Sequence, residues 1–375
     1  MKEVVISHGL QGVVVADSQL SYIDGTEGVL RYRGYDISDL ARNASYEEVV
    51  HLLWFGELPD QEQLDTLKSR LLGERHIHHG ILSLMRSFPN RPEPIEVLRT
   101  AVSALSSFDA ESEVNEPEAN LRKAIRLVAK MPAIVASYCR LRDGKEPLLP
   151  DPSLGHAANF LYMVSGEKPS ELQEKALNMM MVSMADHGLN ASTFAARVIA
   201  ATLSDMYSAV TGAIGALKGP IHGAANRGAM EMMLEIGELG RVESYVDAAL
   251  ASGRRIIGFG HRVYKTMDPR TLNLKAMVEA LCEDGGDPTW GRLALKINEV
   301  VTRRKGLNPN VDFFGGAMMY LLGLPLDVFT PVFACSRAVG WSAQVMEQYG
   351  HNRLIRPLAN YVGPDRREYV PLGER

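Results

Sequence analysis

The sequence predicts a mainly α-helical protein of two multi-helical domains with a small β-ribbon at its N-terminus. Three observations carry this. Helix caps and stops recur from Ser45 almost to the C-terminus, with no Val/Ile-rich strand alternating between them. Strand patterning is confined to residues before Gly34. At 375 residues the chain exceeds the size at which one core stops growing, so a division into two domains is expected.

The ribbon is expected from Val13–Val15, Leu20–Ile23 and Val29–Tyr32, with Asp24-Gly25 as a turn. A capping box opens the first long helix, Ser45 capping and Glu48 reaching back, and Gly56 stops it. Further helices are expected from near Asp60, Pro94, Pro117, Ser153 and Ser170, the last with a second box through Gln173, with stops at Gly144 and Gly166. Residues 176–235 are rich in Ala, Gly, Ser and Met, which suits close helix packing inside one subunit or between two. From Pro220 to Asp327 shorter helices are expected between glycine joints at Gly258, Gly260, Gly285-Gly286, Gly306 and Gly315-Gly316. Long helical patterning resumes over Val328–Tyr349. The division that follows is a large domain of residues 1–219 and 328–375, and an inserted small domain of 220–327 with hinges near Gly219 and Pro325.

Composition narrows the function. An apolar fraction of 46%, a charged fraction of 23% and a formal charge of -5 are ordinary for a globular protein and offer no field for nucleic acid. Cys139, Cys282 and Cys335 are far apart and read as reduced, buried thiols; Trp54, Trp290 and Trp341 read as core. No leader pattern opens the chain, and no uncharged run reaches the roughly 18 residues of a membrane span, so a cytoplasmic location is expected. Gly258-Phe259-Gly260 lacks the strand–turn–helix setting of a dinucleotide site. His76, His78 and His79 have no carboxylate or cysteine at a metal-ligand spacing and are expected in an exposed loop; no metal site is expected.

Three loops carry the chemistry. His222, in Gly219-Pro220-Ile221-His222-Gly223, precedes a helix whose positive N-terminal end disfavours imidazolium; a neutral ring there could donate to an oxygen gaining negative charge, or could simply be a turn histidine bonded to backbone. His261 lies in a loop ending in Asp268-Pro269-Arg270, where Asp268 is expected to cap a helix starting at Pro269. Arg270 in the first turn of that helix opposes the dipole, a placement better explained by an anionic ligand. Asp312, in Asn310-Val311-Asp312, is either a helix cap or a base; a pKa near the ordinary carboxylate value would leave it ionised and able to abstract a proton. His187, Arg337 and Arg356 are further candidates to hold a carboxylate.

These stretches resemble the citrate synthase family. Gly258–Arg270 is similar to the segment around that family's catalytic histidine, Gly219–Asn226 to its other histidine loop, and Asn310-Val311-Asp312 to its aspartate loop. The likeness runs from Arg31-Tyr32-Arg33-Gly34-Tyr35-Asp36 to Arg356–Pro364, nearly the whole chain. It implies a homodimeric helical fold with active sites in clefts between a large and a small domain. Asp312 is implied as the base on acetyl-CoA, His222 as the enolate stabiliser and His261 as the acid toward oxaloacetate. His187, Arg270 and Arg337 would hold the dicarboxylate, with Arg356 supplied by the neighbouring subunit. Ile257, Gly258, Phe259, Gly260, Lys265 and Asn310 would meet CoA. The resemblance implies no cofactor beyond the CoA thioester substrate and no metal. The chain starts almost directly at the catalytic body, so a dimer without nicotinamide regulation is expected. The related 2-methylcitrate synthases, which use propionyl-CoA, are the competing reading; His261-Arg262-Val263-Tyr264-Lys265-Thr266 is more similar to the citrate enzymes.

Overall fold

In the computed structural model, residues 6–284 and 287–375 are described. Gly285 and Gly286, expected as a joint, lie outside the described residues. Three short antiparallel strands, β1 (Ser21–Asp24), β2 (Val29–Tyr32) and β3 (Tyr35–Asp36), form one sheet in sequence order. Ser21 pairs with Tyr32 and Tyr32 with Tyr35. Val13–Val15 form no strand: they are exposed, Val14 at 88%, and among the described residues no strand pairs with them.

The helices follow in order. They are α1 (Ile37–Asn43), α2 (Tyr46–Phe55), α3 (Gln61–Glu74), α4 (His79–Arg86), α5 (Pro94–Leu105) and α6 (Pro117–Arg142), then α7 (His156–Ser165), α8 (Glu171–Met184), α9 (Ala191–Ala200) and α10 (Met206–Leu217). After these come α11 (Ala225–Ile236), α12 (Val242–Ala251), α13 (Thr271–Glu283), α14 (Pro288–Lys305), α15 (Val311–Leu321) and α16 (Phe329–Gly350). The capping boxes at Ser45 and Ser170 form as expected, Asp60 adds another with Gln63, and Gly56 and Gly166 close α2 and α7 in the left-handed conformation. The helix expected from Ser153 starts instead at His156, because Asp151 already holds the Ser153 N–H and hydroxyl in a turn.

Burial places α16 at the centre. Phe329, Val332, Cys335, Ala338, Trp341 and Val345 lie in one apolar cluster that also takes in buried faces of α2, α6, α8 and α10. Small residues set the close approaches. A Cβ at Gly340 of α16 would lie 2.2 Å from the Ala185 carbonyl oxygen, and one at Gly212 of α10 2.2 Å from Ile199 Cδ1 of α9. Gly315-Gly316 is not a joint but lies buried inside α15, where a Cβ at Gly316 would meet the Asn226 carbonyl oxygen of α11 at 2.4 Å. Two glycines weaken a helix, and here the loss is exchanged for direct backbone contact between α15 and α11.

Cys139 and Cys335 are buried free thiols, whereas Cys282 is only half-buried. Trp341 is fully buried, while Trp54 and Trp290 pack partly exposed against the core. His76, His78 and His79 are exposed; rather than all lying in a loop, His78 caps α4 through its ring and His79 begins it. Among the described residues, no group of three or more His, Cys, Asp or Glu side chains is placed to hold a metal, and no helix is long and apolar enough to cross a membrane.

Candidate active site

Asp312 sits in the first turn of α15, but it does not cap the helix. Asn310 does, its side chain accepting the Asp312 N–H at 3.0 Å. The Asp312 carboxyl is thereby left free of the cap, and its Oδ1 is buried with no hydrogen-bond partner among the described residues. Burial pushes the pKa up to about 6, against the pull of Arg270 and with some help from Asp268. Desolvation thus outweighs the nearby cations, and the carboxyl stands above the ordinary value at which it would be fully ionised at neutral pH.

His222 lies just before α11, which begins at Ala225. Its Nε2 accepts the Ser192 backbone N–H at 3.3 Å and contacts the Ser192 hydroxyl at 2.9 Å. An N–H donor at Nε2 places the ring's own proton on Nδ1. The ring is neutral at pH 7, its pKa lowered to about 4 by burial first and the Arg337 charge second. Neutrality was expected from a helix dipole; here burial and the Arg337 charge account for it.

His261 has the opposite tautomer. Its Nδ1 accepts two backbone N–H groups, from Val263 at 3.0 Å and Tyr264 at 3.2 Å, so the proton resides on Nε2. Burial and the Arg270 charge lower its pKa to about 4. His187 is buried, its ring centroid 5.6 Å from that of His261, and burial with the Arg270 and Arg337 charges keeps it well below the usual imidazole range. Its Nε2 is 2.9 Å from the Tyr264 hydroxyl.

The arginines divide. Arg270 is buried and paired with Asp268, Nε to Oδ1 at 2.9 Å and Nη2 to Oδ2 at 2.7 Å. Burial opposes its charge, and the Asp268 carboxylate outweighs that and raises its pKa. Asp268 therefore does not cap a helix starting at Pro269: α13 begins at Thr271, and Asp268 accepts from Arg270 and from the Val311 N–H. Arg270 already has a carboxylate beside it, so its position alone does not require an anionic ligand. Arg337 is 1% exposed; its Nε donates to the Met184 carbonyl and its guanidinium lies 4.9 Å over the Phe333 ring. Among the described residues it makes no ion pair. Burial lowers its pKa, with Asp186 working the other way. Arg356 lies in the exposed stretch after α16.

Of the remaining candidates, Gly258, Phe259, Gly260 and Asn310 form one patch beside Asp312. Gly258 and Gly260 adopt φ of 86° and 75°, Phe259 bridges to Pro309, and its ring is 4.6 Å from Phe313. Asn310 donates from Nδ2 to the Gly260 carbonyl at 2.8 Å, tying this patch to the cap of α15. Ile257 and Lys265 are exposed. Sequence reading missed Ser192, Tyr264 and Asp186. Tyr264 and Asp186 lay within segments already singled out, next to or three residues from a histidine; nothing marked Ser192 apart from its neighbours.

The site therefore combines a buried carboxyl whose Oδ1 has no partner among the described residues, three neutral histidines and a buried cation that makes no ion pair among them. A profile of the family described as "Citrate synthase, C-terminal domain" matches residues 9–358. The chain belongs to the citrate synthase family. It is 49% identical to the citrate synthase of Haloferax volcanii, over 99% of each chain. It is 41% identical to 2-methylcitrate synthase 1 of Corynebacterium glutamicum, over 100% of each. Its fold matches citrate synthase from the thermophilic archaeon Thermoplasma acidophilum, solved as a ternary complex with carboxymethyl coenzyme A and oxaloacetate. That match has a TM-score of 0.92 and 34% identity, over 99% of this chain and 100% of that one.

Proposed function

We infer that the protein condenses acetyl-CoA with oxaloacetate and hydrolyses the resulting citryl-CoA to citrate and CoA. The observation that carries the chemistry is Arg337: its guanidinium is buried and makes no ion pair among the described residues, Asp186 favouring its charge without pairing with it, and a bound anion would offset the cost of that burial. A dicarboxylate substrate does so, with His187 and Arg270 beside it. Asp312 then takes a methyl proton from acetyl-CoA. The enolate oxygen accepts a hydrogen bond from His222 Nδ1–H while the enolate carbon attacks the ketone of oxaloacetate. The ketone oxygen takes the Nε2 proton of His261 as the carbon–carbon bond forms; the charge left on the ring is held by the Val263 and Tyr264 N–H groups at Nδ1, and the proton taken up by Asp312 returns to the ring through water. Water then cleaves the thioester, releasing citrate and the CoA thiol. CoA itself would lie along Ile257, Gly258, Phe259, Gly260 and Asn310, with Lys265 near its phosphates. No cofactor beyond this thioester substrate is required.

His222, His261, Arg270 and Asp312 come from residues 220–327, and His187 and Arg337 from outside them. A large domain of 1–219 and 328–375 closing on this insert about Gly219 and Pro325 would exclude water before condensation. Arg356 is read as reaching the neighbouring site of a homodimer; its exposure, with that of Leu358, Tyr361 and Val362 nearby, supports a role outside its own subunit. The 41% identical 2-methylcitrate synthase favours propionyl-CoA as the second reading, because one methylene is worth only about 1–3 kcal/mol of discrimination. Thiol release with oxaloacetate tests both. A kcat/KM higher for acetyl-CoA supports the first reading, one higher for propionyl-CoA supports the second, and no release with any acyl-CoA refutes the enzyme.

A further inference from the structure

The β-ribbon has no part in the chemistry above, yet its turn presses on the loop that carries His261. A Cβ at Gly25 would lie 2.3 Å from the Val263 carbonyl oxygen and 2.9 Å from the carbonyl carbon. The Gly25 carbonyl accepts the Lys265 N–H at 2.7 Å. At Gly28 a Cβ would meet Thr266 Oγ1 at 2.6 Å and the Met267 carbonyl oxygen at 2.9 Å. Gly25 is not among the residues with positive φ, so what it needs is space rather than an unusual backbone conformation.

The contact falls on one particular peptide. The Val263 carbonyl and the Tyr264 N–H belong to the same rigid plane. That N–H is one of the two that hold His261 Nδ1 as an acceptor. Pressure on the oxygen side of the plane therefore moves one of the two donors that fix the ring's tautomer. The start of the loop is held separately, by Gly260 N–H to the Asn308 carbonyl and by Asn310 to the Gly258 and Gly260 carbonyls. Asp24 in turn keeps the ribbon's turn in shape, its Oδ1 accepting the Thr26 and Glu27 N–H groups at 2.9 and 3.0 Å.

We propose that the β1–β2 turn is a positioning element for His261, with the bare backbone of Gly25 buttressing the Val263–Tyr264 peptide so that the ring keeps its proton on Nε2. The inference rests on the reading of His261 as proton donor. Gly25 touches no substrate; it acts through the loop, and it makes the N-terminal ribbon part of the catalytic apparatus.

The test uses Gly25→Ala and Asp24→Ala in the full chain, with Gly73→Ala on open surface of α3 as control, each checked for folding by thermal melting. Ring nitrogens of labelled histidine are followed by NMR, with His261 assigned from its loss in His261→Ala. Gly25→Ala is expected to lower kcat by about 10- to 100-fold, with KM for acetyl-CoA little changed, as a misplaced catalytic group does. The His261 Nδ1 signal should also lose its acceptor signature. Asp24→Ala should show a smaller effect of the same kind and decides the matter if Gly25→Ala does not fold. An unchanged His261 signal in the folded variant overturns the inference, whatever turnover does. If His261→Ala is inactive, that failure concerns the buttress alone; if His261→Ala retains turnover, the donor reading itself is wrong.

Discussion

Asp312 shows how one neighbour decides a residue's role. Because Asn310 supplies the cap, the Asp312 carboxyl is left without a partner, and burial lifts its pKa to about 6. A base must be unprotonated, so kcat/KM should fall as pH drops through about 6. With His222 and His261 each lowered to about 4, neither should add a limb between pH 6 and 8. A rate rising on acidification through that range would contradict the assignment. The stability sign runs the other way. A raised folded pKa means that the folded state holds a proton the unfolded chain has released, so Asp312 costs stability as pH rises from the ordinary carboxylate value through about 6. Asp312→Asn should therefore melt at a higher temperature than wild type at pH 8 and show little difference at pH 4. The sequence made Asp312, His222 and His261 legible because glycine-rich loops surround them. It did not reveal the tautomers, which depend on the Ser192, Val263 and Tyr264 N–H groups brought in by folding.

At the scale of elements, caps were the most legible feature. Ser45, Asp60 and Ser170 mark helix starts because a side-chain oxygen and a Glu or Gln three residues on act locally, without tertiary help. Asp268 misled because its carboxylate is taken by the Arg270 side chain and, through folding, by the distant Val311 N–H. Gly315-Gly316 misled too, since a glycine pair reads alike as a joint and as a helix contact. Gly316→Ala should test the contact. With the Asn226 carbonyl oxygen 2.4 Å from the new Cβ, the variant should lose about 1–3 kcal/mol and melt lower than wild type. An unchanged melting temperature would mean that α15 and α11 are not locked by that glycine. His156, at the start of α7, makes a second case. Both ring nitrogens are buried without partners, the ring stacks on Tyr46, and burial, with Arg75 beside it, lowers its pKa to about 3. The unfolded chain takes up this proton near pH 6.5 and the folded one only near 3, so His156 contributes stability that is lost as pH falls through that window. His156→Phe keeps an aromatic ring against Tyr46 and should lose less melting temperature between pH 7 and 4 than wild type does. An equal loss would show that His156 does not carry this acid sensitivity.

For the whole molecule, the mainly helical architecture was legible because strand patterning is confined to the N-terminal segment, and the missing strand at Val13–Val15 reflects only the lack of a partner. What sequence pattern could not give is how the site is assembled from distant parts: His187 lies in the link between α8 and α9, Arg337 in the central helix α16, and Asp312 and His261 in the segment between them. The homodimer reading makes a further prediction. Arg356→Ala and Asp312→Asn should each be inactive alone. Dissociated, mixed and reassembled, they should recover up to about a quarter of wild-type turnover, since half the dimers would be mixed and each would hold one intact site. No recovery in verified mixed dimers would place Arg356 outside the partner's site. Beneath all of these lies the claim that Asp312 is the base. Thiol release by Asp312→Asn at saturating oxaloacetate and acetyl-CoA tests it most directly: turnover should fall by about 10²- to 10⁴-fold with oxaloacetate binding retained, and turnover close to wild type would contradict the account.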